Sequence, residues 1–237
     1  EILVAEIKRK TEEFGVIVCA KTIRSCIHKR ILNLTEKDMI YKKEYKEKNK
    51  EKIHCDKVPA EKSIDFRPKE ANERSEYGHW EGDLVVGKEG KGAALLTFTE
   101  RKTREEIIFK IPSKHAINVA KSIDKLEKKY KKEFKNKFKT ITFDNGGEFR
   151  DYKALEKSYD KRKKEARLQV YYAHPYRSGE RGSNENANRL IRRFIPKGTV
   201  ITDISEEFIQ QVEDWINNLL RPMFGFKSSL EMAKIVS

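Results

Sequence analysis

The feature that most constrains the fold is a short strand that ends abruptly in a turn, between residues 139 and 149. Isoleucine and phenylalanine alternate there with two threonines, which is the period-two pattern of a strand with one buried face. The Asn-Gly-Gly run at 145–147 favours positive φ and a tight turn, so the strand must stop before it. Asp144 is therefore expected at the carboxyl end of a buried strand, where open α/β sheets place ligands. A plain hairpin turn would have the same local sequence, and only further carboxylates beside Asp144 would favour a site.

The composition favours a polyanionic partner. The chain has 237 residues, enough for one or two domains, and 37% of them are hydrophobic. A net charge of +14 and an isoelectric point near 9.5 indicate nucleic acid. The basic residues are spread along the chain, and no apolar run approaches the length of a membrane span, so a membrane surface is disfavoured. Lysines that only keep the protein in solution would give the same composition.

The three cysteines suggest a cytosolic protein with reduced thiols. Cys19, Cys26 and Cys55 are odd in number and irregular in spacing. The neighbouring histidines lack the spacing of a zinc site, so zinc is not favoured. No signal peptide is visible, and the first residue is Glu1 rather than methionine, which indicates a fragment or a trimmed form of a longer protein.

The first 75 residues are predicted to be helical and then extended. Residues 1–40 resemble short helices, and Thr22 is placed to cap one whose isoleucines recur every four residues. Its basic side chains would suit a partial helix-turn-helix that binds DNA, although a small helical pair with a solvated basic face has the same pattern. Residues 41–75 have mixed charge and few apolar side chains, and we interpret them as a basic linker whose lysines could follow phosphates.

Residues 76–237 are predicted to form an α/β domain. The predicted strands are 79–86, 93–99, 105–111, a fourth ending at Asp144, and 168–173, and the predicted helices are 116–132, 151–164, 184–195 and 205–220. Short connections between the first three strands favour an antiparallel meander. A helix before each of the last two strands favours right-handed crossovers and a layered mixed sheet.

Two further carboxylates could join Asp144. Asp83 lies in the first strand, on the same face as Glu81, where a charge is costly unless it is paired or bound to a metal. Glu185 opens the helix that begins at 184. Each also has an ordinary explanation, since a strand-end acid can lie at the rim of a sheet and an acid in the first helical turn complements the helix dipole.

Together the three acids suggest a metal-dependent phosphoryl-transfer site. Carboxylates close to each other repel unless a cation lies between them. Magnesium prefers carboxylate oxygens, and two such ions can clamp both oxygens of an in-line displacement. Helical spacing puts Arg189 and Arg192 on the same face as Glu185, where they would contact phosphates of a nucleic acid.

At these residues the chain resembles the IS-thirty family of bacterial insertion-sequence transposases, a DDE group with a ribonuclease-H-like integrase core. The resemblance covers about residues 67 to 232 strongly and the helical front weakly. The matching blocks are Arg-Pro-Lys-Glu at 67–70, His-Trp-Glu-Gly-Asp at 79–83, Leu-Thr-Phe-Thr-Glu-Arg-Lys-Thr-Arg at 96–104, Thr-Phe-Asp-Asn-Gly-Gly-Glu-Phe at 142–149, and the long segment 174–198. The last block is the most specific.

The resemblance implies that Asp83, Asp144 and Glu185 form the catalytic triad and hold two Mg²⁺ or Mn²⁺ ions when DNA is bound. Such enzymes hydrolyse a phosphodiester at the transposon end and then use the freed 3′-OH to attack target DNA, without a covalent enzyme intermediate. The implied fold is a mixed sheet of three antiparallel and two parallel strands flanked by helices. The implied partners are double-stranded transposon ends, target DNA and a second copy of the chain, in a cytoplasmic, nucleoid-associated setting.

The residues expected to contact DNA are basic and lie on or just after the helix of Glu185. They are Arg189, Arg192, Arg193 and Lys197. Tyr77, His79 and Trp80 are instead expected to be framework, and His174 is left outside the catalytic set because a strand-end histidine before a proline is more often structural.

The chain departs from the family in several places. Forty residues separate Asp144 from Glu185, which is longer than usual, and the excess is expected at 158–167, away from both acids. Gly179 stands where the family tends to have a tryptophan. Gly179 and the missing part of the family's amino-terminal DNA-end-binding region would suit a catalytically impaired or repurposed DNA-binding fragment, whereas the three intact acids argue against it. A nuclease acting on RNA hybrids shares the fold but matches the Glu185 block poorly.

Overall fold

The computed structural model describes residues 2–32, 34, 59–88, 92–175 and 177–236. The chain divides into two compact units, one of residues 1–54 and 219–228 and the other of residues 55–218 and 229–237. Residues 59–75 thus group with the larger unit, whereas the predicted linker was drawn through residue 75. The part of that linker at 41–58 lies outside the described residues.

The smaller unit contains three short helices: α1 (Ile2–Arg9), α2 (Thr11–Phe14) and α3 (Ala20–His28). Thr22 does not cap α3, as the sequence had suggested, because the helix starts two residues earlier with Cys19 at its N-cap. The Thr22 hydroxyl instead lies 3.1 Å from the Cys19 thiol. DNA binding by these helices stays a prediction.

The larger unit is built on one five-stranded sheet. Its strands are β1 (His79–Val86), β2 (Ala94–Glu100), β3 (Glu106–Ile111), β4 (Thr140–Phe143) and β5 (Gln169–Tyr172), in the order β3-β2-β1-β4-β5. The pairs β1–β2 and β2–β3 are antiparallel, and β1–β4 and β4–β5 are parallel. The predicted mixed sheet of three antiparallel and two parallel strands is therefore confirmed.

The helices of this unit are α4 (Lys69–Glu73), α5 (Ala116–Tyr130), α6 (Phe134–Lys137), α7 (Tyr152–Glu156), α8 (Gly182–Phe194), α9 (Glu206–Asn218) and α10 (Ser229–Val236). Among the residues that the structure describes, no helix is both long and apolar enough to cross a membrane. Helices α4, α6 and α10 were not predicted, and apart from the helix predicted at 151–164 the bounds of the predicted elements differ from the observed ones by at most a few residues.

The two faces of the sheet have different chemistry. On one face an apolar core packs beneath α5, with Trp80 stacked on Phe138 at a centroid distance of 4.8 Å. The opposite face is covered by α8 and α9. It receives Glu81 and Asp83 from β1, as strand alternation predicts, because each of these side chains bonds to α8.

The predicted helix over 151–164 was wrong beyond its first turn, since α7 ends at Glu156. The chain then loops out and returns through a bridge between Lys157 and Ala166. Buried Glu127 holds this loop, accepting hydrogen bonds from the Ser158 hydroxyl at 2.6 Å and the Tyr159 amide at 3.1 Å. These bonds replace the backbone bonds that a longer helix would have made.

Candidate active site

The parallel register of β1 and β4 brings Asp83 and Asp144 side by side. Glu81 pairs with Thr142 across these strands, so two residues further along each strand Asp83 is level with Asp144. Neighbouring strands lie about 5 Å apart, so the two carboxylates stand close together near the carboxyl end of β4. The Asp144 carboxylate also accepts the Gly146 amide at 2.9 Å, which fixes the turn after β4.

Gly82, which precedes Asp83, lets β1 lie close to the ring of Phe143, which precedes Asp144. A Cβ atom at this position would lie 2.2 Å from Cε1 of Phe143, the last residue of β4. That ring is itself stacked on Phe149 at a centroid distance of 4.4 Å. The glycine is thus required by a close approach that no larger residue could make without displacing the ring.

One guanidinium joins the two aspartates. Arg181 lies 3.1 Å from Asp83 through Nη2 and 3.1 Å from Asp144 through Nη1. Its Nη2 also donates to the Gly82 carbonyl at 2.7 Å, and its side chain is only 12% exposed. Burial lowers the pKa of Arg181, but the carboxylates of Asp83, Asp144 and Glu81 raise it, and the net direction is upward.

Helix α8 presents a single stripe of polar residues to β1. Glu185, Asn188 and Arg192 are spaced three and four residues apart, which puts them on one helical face, and Arg181 precedes them at the N-cap. The Asn188 side-chain amide donates to Asp83 at 2.6 Å, and Arg192 donates to the carbonyl of Val86 at 2.7 Å. These contacts align α8 along β1.

Glu185 lies within this stripe, between Arg181 and Asn188. Its side chain is exposed, and no hydrogen bond or ion pair joins it to another described residue. The carbonyl oxygen of the Asn188 side chain, one turn further on, is buried without a hydrogen-bond partner in the described part of the chain. The side-chain oxygens of Glu185 and Asn188 thus accept no hydrogen bond from the described residues, and both lie on the helix face that bonds to Asp83.

The start of α8 is held by a buried acid on β1. Glu81 is fully buried, pairs with Arg101 and accepts the Asn184 backbone amide at 3.1 Å. A carboxylate on the first free amides of a helix satisfies a donor and favours the helix dipole. This explains why α8 begins at Gly182 without a capping side chain of its own, two residues before the predicted start.

The donor set fits a divalent metal ion in its chemistry. Asp83, Asp144 and Glu185 supply carboxylate oxygens, and the free oxygen of Asn188 adds another hard donor, as Mg²⁺ prefers. Within the described ranges, however, no three acidic, histidine or cysteine side chains form a cluster that could hold an ion. Asp83 and Asp144 instead share the guanidinium of Arg181.

The residues predicted to contact DNA are mostly open to solvent. Arg189 and Arg193 are exposed on α8, Lys197 is exposed beyond its end, and Arg192 is half-buried. DNA contact by these four residues stays a prediction. Tyr77, His79 and Trp80, which were expected to be framework, are buried.

His174 forms a separate ionic cluster next to the stripe. Its ring nitrogens lie 2.9 Å from Glu180 and 3.1 Å from Asp65, and its backbone amide also donates to Glu180. The hydrogen bond with Glu180 raises the pKa of His174 above its ordinary value of 6.5. The cluster fixes the loop that leads into Arg181.

Sequence reasoning missed Arg181, although it lies in the most specific block. The predicted helix started at Asn184, so Arg181 fell in a loop and was not placed on the face of Glu185. The signal that could have found it is its spacing of four residues from Glu185, combined with the cost of holding two neighbouring carboxylates without a cation.

Comparison with known proteins gives a consistent set of relatives. Residues 73–178 match the integrase core domain, a range that includes Asp83 and Asp144 and ends before Glu185. The chain is 32% identical over 226 residues to the probable transposase for insertion-like sequence element IS1161 of Streptococcus salivarius, covering 93% of this chain and 60% of that relative. It is 35% identical over 178 residues to the transposase for IS4351 of Bacteroides fragilis, covering 75% of this chain and 51% of that relative.

A third relative is transposase InsI for element IS30C of Escherichia coli, which is 30% identical over 169 residues, covering 71% of this chain and 41% of that relative. The chain thus spans about half the length of the curated transposases it matches. Proteins with the integrase core domain generally use divalent metal ions. The chain is thus similar over most of its length to insertion-sequence transposases, and its residues 73–178 match the integrase core domain.

Proposed function

We propose that the chain catalyses metal-dependent DNA strand cleavage and strand transfer during transposition of an insertion sequence. Asp83, Asp144 and Glu185 are the catalytic residues in this proposal and hold two Mg²⁺ or Mn²⁺ ions when DNA is bound. The observation that carries it is that the Asp83 and Asp144 carboxylates, which follow paired residues of β1 and β4, both lie 3.1 Å from one guanidinium. Glu185 on the polar stripe of α8 completes the set.

When bound, the ions would supply the charge that activates water or a 3′-OH and that stabilises the developing phosphorane. The side chains have complementary roles. Asn188 holds Asp83 through its amide, which leaves the second oxygen of that carboxylate for a cation. The Gly146 amide orients Asp144 in the same way. These second contacts restrict the rotamers of both acids, so little ordering is left for the moment of ion binding.

DNA would lie along the exposed side of α8. Arg189, Arg193 and Lys197 are exposed there and can pair with phosphates, while Arg192 fixes the helix to Val86. We also propose a second copy of the chain in the active assembly, because two DNA ends must be joined, and action on the DNA of the bacterial nucleoid. The net charge of +14 supports a polyanionic substrate.

The test is cleavage of a labelled duplex that carries the terminal repeat flanking the gene. With Mg²⁺ or Mn²⁺, the wild type should release a 3′-OH at the element end and join it to a second duplex. Asp144→Asn and Glu185→Gln should lower the rate by at least about 10³-fold, because each removes a ligand charge. Retained cleavage in both variants would contradict the proposed site. The charge control is Asn186→Asp, which adds an acid on α8 outside the stripe.

A second candidate is a protein that occupies DNA without cutting it. It is favoured by Arg181, since a guanidinium already occupies the place between Asp83 and Asp144. Gly179 adds to this, because its surroundings are open where the family tends to have a tryptophan. Duplex binding with no cleavage at any Mn²⁺ concentration, by wild type and Gly179→Trp alike, would support this candidate over the enzyme.

A further inference from the structure

Arg181 has an unusual position for a structural arginine. Two of its nitrogens each contact a different carboxylate at 3.1 Å, and these carboxylates come from neighbouring strands. Its Nε is buried without a hydrogen-bond partner among the described residues, so the guanidinium is held mainly by Asp83, Asp144 and the Gly82 carbonyl. The residue lies at the N-cap of α8 with φ −121° and ψ 37°, outside the regular helix.

The Arg181 guanidinium offsets the repulsion between the two adjacent carboxylates. Two carboxylates this close repel each other and would take up a proton or move apart without a cation. A planar guanidinium can contact both at once, which a single ammonium nitrogen cannot do as well. The guanidinium thereby holds the two aspartates side by side.

We propose that Arg181 is a resident counter-cation that divalent ions must displace from Asp83 and Asp144, so that it positions both carboxylates and limits how tightly the first ion binds. This inference rests on the proposed metal site at the same acids. A buried cation left without its partners is costly, so the displaced guanidinium needs another anion. The phosphate of bound DNA supplies that anion next to the ions, and ion binding should therefore be coupled to DNA binding.

The coupling has a simple form. If an ion binds only when the guanidinium has left the acids, its apparent affinity equals its intrinsic affinity multiplied by the fraction of molecules in which the acids are free. DNA raises that fraction by attracting Arg181, so the ion binds more tightly to the complex than to the protein alone. Arg181 is a positioning residue in this scheme, since it acts on the ions through the acids.

The experiment measures Mn²⁺ binding to the whole chain without DNA, by calorimetry and by the electron paramagnetic resonance signal of free Mn²⁺. We expect Arg181→Gln to bind Mn²⁺ about tenfold more tightly than the wild type. Without metal, the melting temperature of Arg181→Gln should be lower than that of the wild type. Mn²⁺ should raise the melting temperature of the variant by more than it raises that of the wild type. Arg177→Gln is the matched control, because Arg177 is 70% exposed and pairs with Glu180 but with neither aspartate.

A second measurement uses a short duplex. DNA should tighten Mn²⁺ binding by the wild type, and this gain should be smaller in Arg181→Gln. Unchanged or weaker Mn²⁺ binding by Arg181→Gln would overturn the inference. If that variant does not fold, Arg181→Lys replaces it. One ammonium group cannot hold both acids equally, so Arg181→Lys should bind Mn²⁺ with an affinity between those expected for the wild type and for Arg181→Gln. A wild-type affinity of Arg181→Lys would then count against the inference.

The outcomes also separate this inference from the proposed function. Mn²⁺ binding that is lost in Asp144→Asn but unchanged in Arg181→Gln would leave the metal site standing and remove the role of Arg181. No binding by the wild type or by any variant, with and without DNA, would remove the metal site itself.

Discussion

At the residue scale, Gly82 shows how closely the site depends on the core beneath it. The residue separates Asp83 from buried Glu81 on β1, and its α-carbon faces the ring of Phe143. Phe143 immediately precedes Asp144 on the neighbouring strand. Any change that pushes this ring also moves the two aspartates relative to each other, because each is covalently next to the contact.

Gly82→Ala should therefore destabilise the fold and widen the site. The added methyl would lie 2.2 Å from the Phe143 ring, and overpacking of this kind costs about 1–3 kcal/mol of unfolding free energy. Urea denaturation followed by circular dichroism measures the loss. Gly179→Ala is the control, since nothing lies within 4 Å of its added Cβ, and equal stability of the two variants would contradict the prediction.

His174 gives the fold a pH dependence of known sign. Its pKa is raised in the folded chain by Glu180 and then by Asp65, with Arg177 also close to Glu180. A raised pKa means that the folded state holds the proton more tightly than the unfolded state. The stabilisation is present below pH 6.5 and is lost as the pH rises through the raised pKa.

We expect the melting temperature of the wild type to exceed that of His174→Gln most clearly near pH 6 and least above the raised pKa. The contribution also requires charged Glu180 and Asp65, whose pKa values are lowered, so it persists to mildly acidic pH. Differential scanning fluorimetry of both proteins across this pH range measures the difference. A gap that widens toward alkaline pH would show that the sign is wrong.

At the element scale, β1 and α8 form one structural unit. The strand carries two acids on one face, of which Glu81 is sealed and Asp83 is partly open. Glu81 accepts the Asn184 amide of α8, and Asp83 accepts the Asn188 side chain one turn later. The helix that carries Glu185 is therefore aligned by the same strand that carries Asp83.

Glu81→Ala should remove this alignment. It leaves the buried Arg101 guanidinium without its ion-pair partner, and breaking a buried pair in this way costs about 3–5 kcal/mol of unfolding free energy. Glu165→Ala breaks an exposed pair with Lys135 and should be barely distinguishable from the wild type. Urea denaturation compares the three proteins, and similar losses in both variants would contradict a special role for Glu81.

The elements themselves were largely predictable, while their contacts were not. Strand alternation and short connections predicted the sheet, because those signals are local. The start of α8 was misplaced because its first amide partner is Glu81, an acid about a hundred residues earlier in the chain. The proximity of Asp83 to Asp144 depends on the β1–β4 register, which no local pattern contains, so the sequence could only suggest it as a hypothesis that the resemblance then supported.

At the scale of the whole molecule, charge is the dominant property. The chain carries a net +14, and the loop at 158–167 contains five lysines and arginines, four of them consecutive at 161–164. That loop precedes β5, so it lies at the opposite end of the parallel strands from Asp144, which follows β4. Positive charge is thus present in this loop as well as on α8, whereas Asp144 lies at the end of the parallel strands away from the loop.

Duplex binding should weaken steeply with salt. Affinity should fall by about 100-fold or more between roughly 50 and 200 mM KCl, because each neutralised phosphate releases counterions. Lys197→Gln should reduce the slope of log affinity against log salt by about one, whereas Lys161→Gln in the distant loop should leave it unchanged. Fluorescence anisotropy without metal measures the slopes, and an equal effect of both substitutions would place DNA away from α8.

The attachment of α8 to β1 has a kinetic consequence. Three contacts along its length, from Asn184, Asn188 and Arg192, lock the helix to β1, so the acids cannot be uncovered by a swinging segment. The remaining degree of freedom is rotation about the side-chain bonds of Arg181. Release of Arg181 from its two ion pairs is a local side-chain rearrangement and needs no domain opening. Metal ions should accordingly reach Asp83 and Asp144 without a slow domain motion ahead of binding.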